Sequence, residues 1–223
     1  VTIDGGKSIS NLGRSGKSMS RFTDRDRERI RSQLIEAGRA LFTQFGFERT
    51  RISDLTEEVG IGTSTFYQFF DSKEELYVKV LLVERQQLEE KIADAVTAGE
   101  TPREEVQLFL KTTLDEVQAN PLISALIVDG ELRTLQDQLE GLDVKGTFTV
   151  PSPDGPELPF TKRWAQLETF RYDDPELIDR LLISLIFTVR SRNAPVGTDG
   201  DVEYAQVEEA LIETIVDGLF EAS

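Results

Sequence analysis

Thr63, Ser64, Thr65, Tyr67 and Gln68 lie within GIGTSTFYQFF, residues 60–70, a run without charge in a chain of formal net charge −16. Their hydroxyl and amide groups donate and accept hydrogen bonds without carrying charge. Such groups suit a hydrated polyanion, which repels a carboxylate. Other chemistry has few resources. The 223 residues contain no histidine and no cysteine. Cysteine zinc sites, thiol nucleophiles, disulfides and histidine acid–base catalysis are therefore excluded. No cofactor is expected. The adjacent Asp173 and Asp174 raise the alternative of a carboxylate-dependent hydrolase, but they precede Pro175, where acidic helix caps belong. GRSGKS, residues 13–18, is not a phosphate loop: two residues separate its glycines where the motif needs four, and no apolar strand precedes it.

The elements that must hold those hydroxyls are helices. Ile30, Leu34, Ala37, Leu41 and Phe45 recur at spacings of three and four, which predicts a first helix over 24–45 stopped by Gly46. Ile52, Leu55 and Val59 share one face of a short second helix, with Thr50 as its expected N-cap and Gly60 as its left-handed stop. A third helix is expected over 63–70, with Phe66 and Phe70 facing a core. A long fourth one follows over 71–96, capped by Asp71 or Ser72. Further helical patterns cover 102–117, 120–141, 161–170, 173–192 and 201–222. Residues 142–160 hold four prolines and read as an irregular loop. Long alternating strand patterns are missing. The expected fold is all-α: a three-helix helix-turn-helix domain at 21–72, then a larger helical ligand-binding and dimerisation domain at 73–223. Residues 1–20, rich in Gly and Ser, read as a disordered basic tail, and Met19 raises the alternative of a start there.

Two short helices joined by a tight glycine turn form a helix-turn-helix, whose second helix enters the DNA major groove. The free amides at Gly62 and Thr63 suit a phosphate. Gln68 suits adenine, and Thr and Ser suit base edges or backbone. Arg21, Arg25, Arg27, Arg29 and Arg31 alternate with acids, and read equally as phosphate contacts or as internal ion pairs. Over 30–81 the chain resembles the tetracycline-repressor (TetR) family, through ALF, FGFERT, ISDLTEEVGI and TFYQFFDSKEEL in order. DDPELIDRLL resembles, more weakly, the start of that family's dimerisation helix.

That resemblance implies a homodimeric transcriptional regulator that binds double-stranded operator DNA, is released by a small effector, and is not an enzyme. It implies that Thr63, Ser64 and Thr65 face bases or the adjacent backbone, and that Tyr67 and Lys73 contact phosphate. Thr50 and Arg51 stand at another phosphate-contacting position. Gly62 departs from the family's usual capping hydroxyl, and Arg51 from another.

Beyond the head, Phe109, Leu110, Thr113, Leu126, Trp164 and Leu167 are expected either to line an apolar effector cavity, anchored by Thr113 or Gln166, or to fill a solid core. Ile178, Leu181, Leu182, Leu185, Ile186 and Val189 surround one helix. Val207, Leu211, Thr214, Ile215, Gly218 and Leu219 form a stripe on another. A helix apolar all round is buried on more than one side, which predicts a four-helix dimer interface. Charge divides the chain. Residues 1–73 hold 12 basic against 10 acidic residues; the remainder holds 13 against 31. With 17 arginines to 8 lysines, this reads as a protein of a salty, halophilic cytoplasm. The most apolar run, 181–187, is too short to span a bilayer, and no signal-peptide core opens the sequence, so a soluble cytoplasmic protein is expected.

Overall fold

The computed structural model describes residues 22–127, 160–188 and 204–221. The tail through Arg21, the 142–159 loop and Val189 lie outside the described residues. Helix α1 spans Asp24–Phe45 and opens on a capping box, in which Thr23 and Asp26 satisfy each other's main-chain N–H groups. Its buried face is Ile30, Leu34, Ala37, Gly38 and Phe42. Phe45, expected on that stripe, is 48% exposed. Phe42 is buried instead, while Phe45 lies on the last residue of the helix, just before Gly46 stops it at φ +79°.

Helix α2 spans Ile52–Val59 and ends at Gly60, whose φ of +73° is left-handed. Its N-cap is Arg51, whose N–H donates to the Asp54 carboxylate at 2.9 Å. Thr50 is not the cap. Helix α3 covers only Thr63–Phe66, not the expected 63–70. Past Phe66 the backbone tightens into turns, with Gln68 N–H donating to Thr65 C=O at 3.0 Å and Phe69 N–H to Phe66 C=O at 2.9 Å.

Helix α4 spans Lys73–Ala98, capped by the Ser72 hydroxyl on Glu75 N–H. Helix α5, Pro102–Ala119, starts with proline in its first turn beneath the Thr101 cap. Next come α6 (Pro121–Ile127), α7 (Thr161–Trp164), α8 (Pro175–Thr188) and α9 (Tyr204–Leu219). Helix α4 is the spine. It packs on α1 at its head end and on α5 and α6 farther along. Gly38 permits the first approach: a Cβ there would meet Val80 Cγ2 at 3.1 Å.

The lower core is aromatic. Trp164 lies parallel to Phe170, with ring centroids 6.4 Å apart, and edge-on to Phe109 at 6.1 Å. Phe170 and Phe220 form an isolated bridge that ties the end of α9 back to the turn after α7. No strand occurs among the described residues.

Candidate nucleic-acid interface

Local sequence sets which way the recognition segment turns. Phe66, Phe69 and Phe70 are buried in the core that α1, α2 and α4 share. Burying those three rings leaves Thr63, Ser64, Tyr67 and Gln68 exposed, with Thr65 half-buried. Tyr67 stands edge-on against Phe66, centroids 5.4 Å apart, and is 53% exposed. Its ring is braced by the core while its hydroxyl faces outward. Gly62 caps α3 without a side-chain acceptor. Arg51 is exposed at the start of α2.

Two residues expected to touch phosphate make bonds within the chain. Thr50 is 2% exposed, and its hydroxyl donates to Gly46 C=O at 2.8 Å. It folds the turn between α1 and α2 and presents no side chain to a ligand. Lys73 is half-buried. Its ammonium donates to Phe47 C=O at 2.8 Å and Thr50 C=O at 3.0 Å, and sits 4.1 Å from the Phe47 ring centre.

The arginine run divides. Arg29 pairs with Asp26 at 3.6 Å and bonds Gln33, so it is an internal surface pair. Arg27 and Arg31 reach across to the main chain after α3. Arg27 donates to Gln68 C=O at 3.3 Å over the Phe69 ring, and Arg31 to Phe69 C=O at 3.2 Å over the Phe70 ring. Arg25 is exposed, and Arg21 lies outside the described residues. Asp26 has its carboxyl held below the ordinary range, chiefly by hydrogen bonds from the Thr23 hydroxyl and N–H, with Arg29 adding to the effect.

A polar knot that sequence reasoning missed joins this head to the body. Glu84 of α4 is 1% exposed. It accepts from Arg39 of α1 and from the Asn120 amide between α5 and α6. Asn120 also accepts from Leu122 N–H at 3.0 Å. The only sequence signal was a carboxylate on the apolar face of a long helix.

In the body, Phe109, Leu110, Leu126 and Trp164 belong to the core cluster, Leu167 packs against it, and Thr113 is buried. Thr113 donates its hydroxyl to Phe109 C=O at 2.7 Å, and Gln166 is exposed, so neither stands as a free polar anchor. Trp164 Nε1 donates to Glu105 at 2.7 Å. The dimer set separates by burial. Ile178, Leu182 and Leu219 are 0%, 0% and 2% exposed and fill the chain's own core, while Ile215 is half-buried. Leu181 and Leu211 point outward at 37% and 40%, joined by Leu177 at 40% and Val207 at 42%. The side chains of Leu185 and Ile186 lie outside the described residues. Asp174 accepts from Glu176 N–H at 3.0 Å, the role of a cap.

A short helix-turn-helix whose second helix turns an uncharged polar face outward, on a longer helical body, defines a DNA-binding regulator. The comparisons agree. Residues 34–80 match the family described as bacterial regulatory proteins, tetR family. The HTH-type transcriptional repressor KstR2 of Rhodococcus jostii is 25% identical over 197 residues, 85% of this chain and 90% of that protein. The repressor KstR of Mycolicibacterium smegmatis is 28% identical over 102 residues, 46% of this chain and only half of its own length. The solved ketosteroid transcriptional regulator KstR2 of Mycobacterium tuberculosis superposes with a TM-score of 0.53 at 20% identity, over 86% of this chain and 95% of that one. Together these matches support a TetR-family regulator, with the family model itself covering the DNA-binding head. No described helix is long and apolar enough to cross a membrane.

Proposed function

We propose that the protein is a homodimeric repressor with a DNA-binding head at 21–72 and a sensing and dimerising body at 73–223, acting on operator DNA in the cytoplasm. The observation that carries it is the outward face of Thr63, Ser64, Tyr67 and Gln68 over three buried phenylalanines. Base edges are read by such groups, and phosphates are met by Tyr67 and the exposed Arg51. Leu177, Leu181, Val207 and Leu211 offer the apolar surface for a second copy, which spaces two heads along the duplex. The acidic body suits work in concentrated salt, where self-repulsion is screened. Selection from sheared genomic DNA at raised salt tests the reading. Discrete fragments carrying a shared near-palindrome are expected. Recovery no better than bulk DNA at every salt concentration would refute it.

The proposed effector is small and apolar, entering among Phe109, Leu110, Leu126, Trp164 and Leu167. A second reading, a ligand-independent regulator of the same fold, is favoured by the internal bonds of Thr113 and Trp164. A thermal-shift panel of lipophilic compounds separates the two, and a ketosteroid, the class named for the M. tuberculosis neighbour, belongs in it. The sensor reading requires at least one compound that both raises the melting temperature and releases bound fragments.

A further inference from the structure

The two carboxylate oxygens of Glu84 divide between head and body. One accepts from the Arg39 guanidinium of α1, the other from the side-chain amide of Asn120. Both partners stand where helices meet. Arg39 follows Gly38, whose missing side chain lets α1 close on Val80, one turn before Glu84 on α4. Asn120 joins α5 to α6. Its N–H donates to Glu116 C=O at 2.9 Å, and its own C=O accepts from Ser124 N–H at 3.0 Å. Its side-chain oxygen accepts from Leu122 N–H at 3.0 Å, so it caps α6. Leu122, Ile123 and Leu126 of that helix are buried in the core. Arg39 also donates to Gln87 at 3.3 Å and comes within 3.9 Å of Glu36, contacts that stay on α4 and α1. The bonds pass from head to α6 through Glu84.

Stability does not call for a charge at this place. A buried ion pair recovers little more than the cost of leaving water, and an apolar group of similar volume often does as well. What the carboxylate adds is direction. A guanidinium and an amide meet its oxygens over a narrow range of distance and angle.

We infer that Glu84 is a positioning residue: through Arg39 and Asn120 it sets the angle of the head on the body, and so the half-site spacing that the dimer accepts. This rests on the reading of the protein as a dimeric DNA-binding regulator. Each added base pair moves the second half-site by about 3.4 Å and turns it by about 35°. Heads held at one angle reject that change, and heads free to rock absorb it.

The test takes the near-palindromic duplex enriched from genomic DNA by the wild type, and two derivatives with one base pair inserted or deleted at its centre. The readout is the ratio of affinities within each protein, which a change in the folded fraction leaves untouched. The wild type should bind the derivatives at least about tenfold more weakly than the parent, and Glu84→Gln should cut that ratio to about threefold or less. Asn120→Ala should do the same with the Arg39–Glu84 pair intact, and supplies the comparison if Glu84→Gln does not fold. Arg39→Met combined with Glu84→Leu refills the site with apolar volume. It should melt close to the wild type and still lose the preference. Variants that keep the wild-type ratio, at whatever melting temperature, would reduce Glu84 to a structural residue and overturn the inference. So would a wild type that binds parent and derivatives alike. A wild type that enriches no duplex, or binds one as a monomer, removes the underlying reading and this inference with it.

Discussion

The recognition segment and the outward faces of α8 and of α9 all leave large side chains in water, with opposite chemistry. The segment shows Tyr67, Gln68 and two hydroxyls above a floor of buried phenylalanine. The faces of α8 and of α9 show Leu177, Leu181, Val207 and Leu211. A polar face over a rigid floor can exchange water for another hydrogen-bonding surface and keep its shape. An apolar face gains only by leaving water altogether. The contrast fits the partners proposed for each region: a hydrated polymer for the head, a copy of the same chain for the body. It also shows why cations count for little in isolation. In the head, the ones that matter for shape are turned toward main-chain carbonyls.

Removing the floor should have the largest effect. Phe66→Ala should cost about 3–5 kcal/mol of stability, read by urea unfolding, because a fully buried ring leaves a cavity at the meeting point of the head helices. Leu211→Ala, on the exposed side of the body, should change the unfolding of dilute protein by less than about 0.5 kcal/mol. Equal costs would erase the distinction between the two regions.

The junction comes next. Glu84→Ala leaves Arg39 and Asn120 without their shared acceptor. Because Arg39 is partly exposed, about 2–3 kcal/mol is expected, below the range for a fully buried pair. A double-mutant cycle with Arg39→Ala measures the coupling directly, and additive losses would show that the knot joins nothing.

The body's outward leucines should matter only to assembly. Leu181→Asp combined with Leu211→Asp should convert a dimer to a monomer in sedimentation at micromolar concentration. The expected weakening is on the order of 2 kcal/mol, for apolar area that the single chain leaves uncovered. A variant that still sediments as a dimer would move the interface elsewhere.

The smallest effect lies at the N-terminal cap of α1. Thr23→Ala should cost about 1 kcal/mol. Since the folded chain holds the Asp26 carboxyl below its ordinary 3.8, the share of the cap that this carboxylate supplies is complete above that value and is lost as pH falls through the lowered one. The bond from Asp26 N–H to the Thr23 hydroxyl does not titrate. The stability gap between wild type and Thr23→Ala should therefore narrow in strong acid without closing, and a gap independent of pH would show that the carboxylate adds nothing.

What the sequence made legible followed from periodicity and caps. The spans of α1 and α2 were readable from apolar spacing bounded by Gly46 and Gly60, and the start of α4 from Ser72. Inward and outward residues of the recognition segment followed from the same spacing. Its true length did not, because the burial of Phe69 and Phe70 past the turn is a tertiary feature that helical spacing does not record. The internal bonds of Thr50 and Lys73 were missed for a related reason. Their partners are main-chain carbonyls, which every residue carries and no pattern betrays. In α8, apolar residues on all sides hid which of Ile178, Leu181 and Leu182 faced the chain's own core.

Gly38 has a mechanical consequence. Where it lets α1 touch α4 there is no slack, so the two helices meet as a bearing with little room to slide. Arg27 lies 11 residues up the helix from that bearing, a lever arm of about 16 Å. A tilt of about 5° there would carry Arg27, and the carbonyl it grips, by about 1.4 Å. A displacement too small to disturb the seam would then be magnified, at the far end of α1, to half the length of a hydrogen bond.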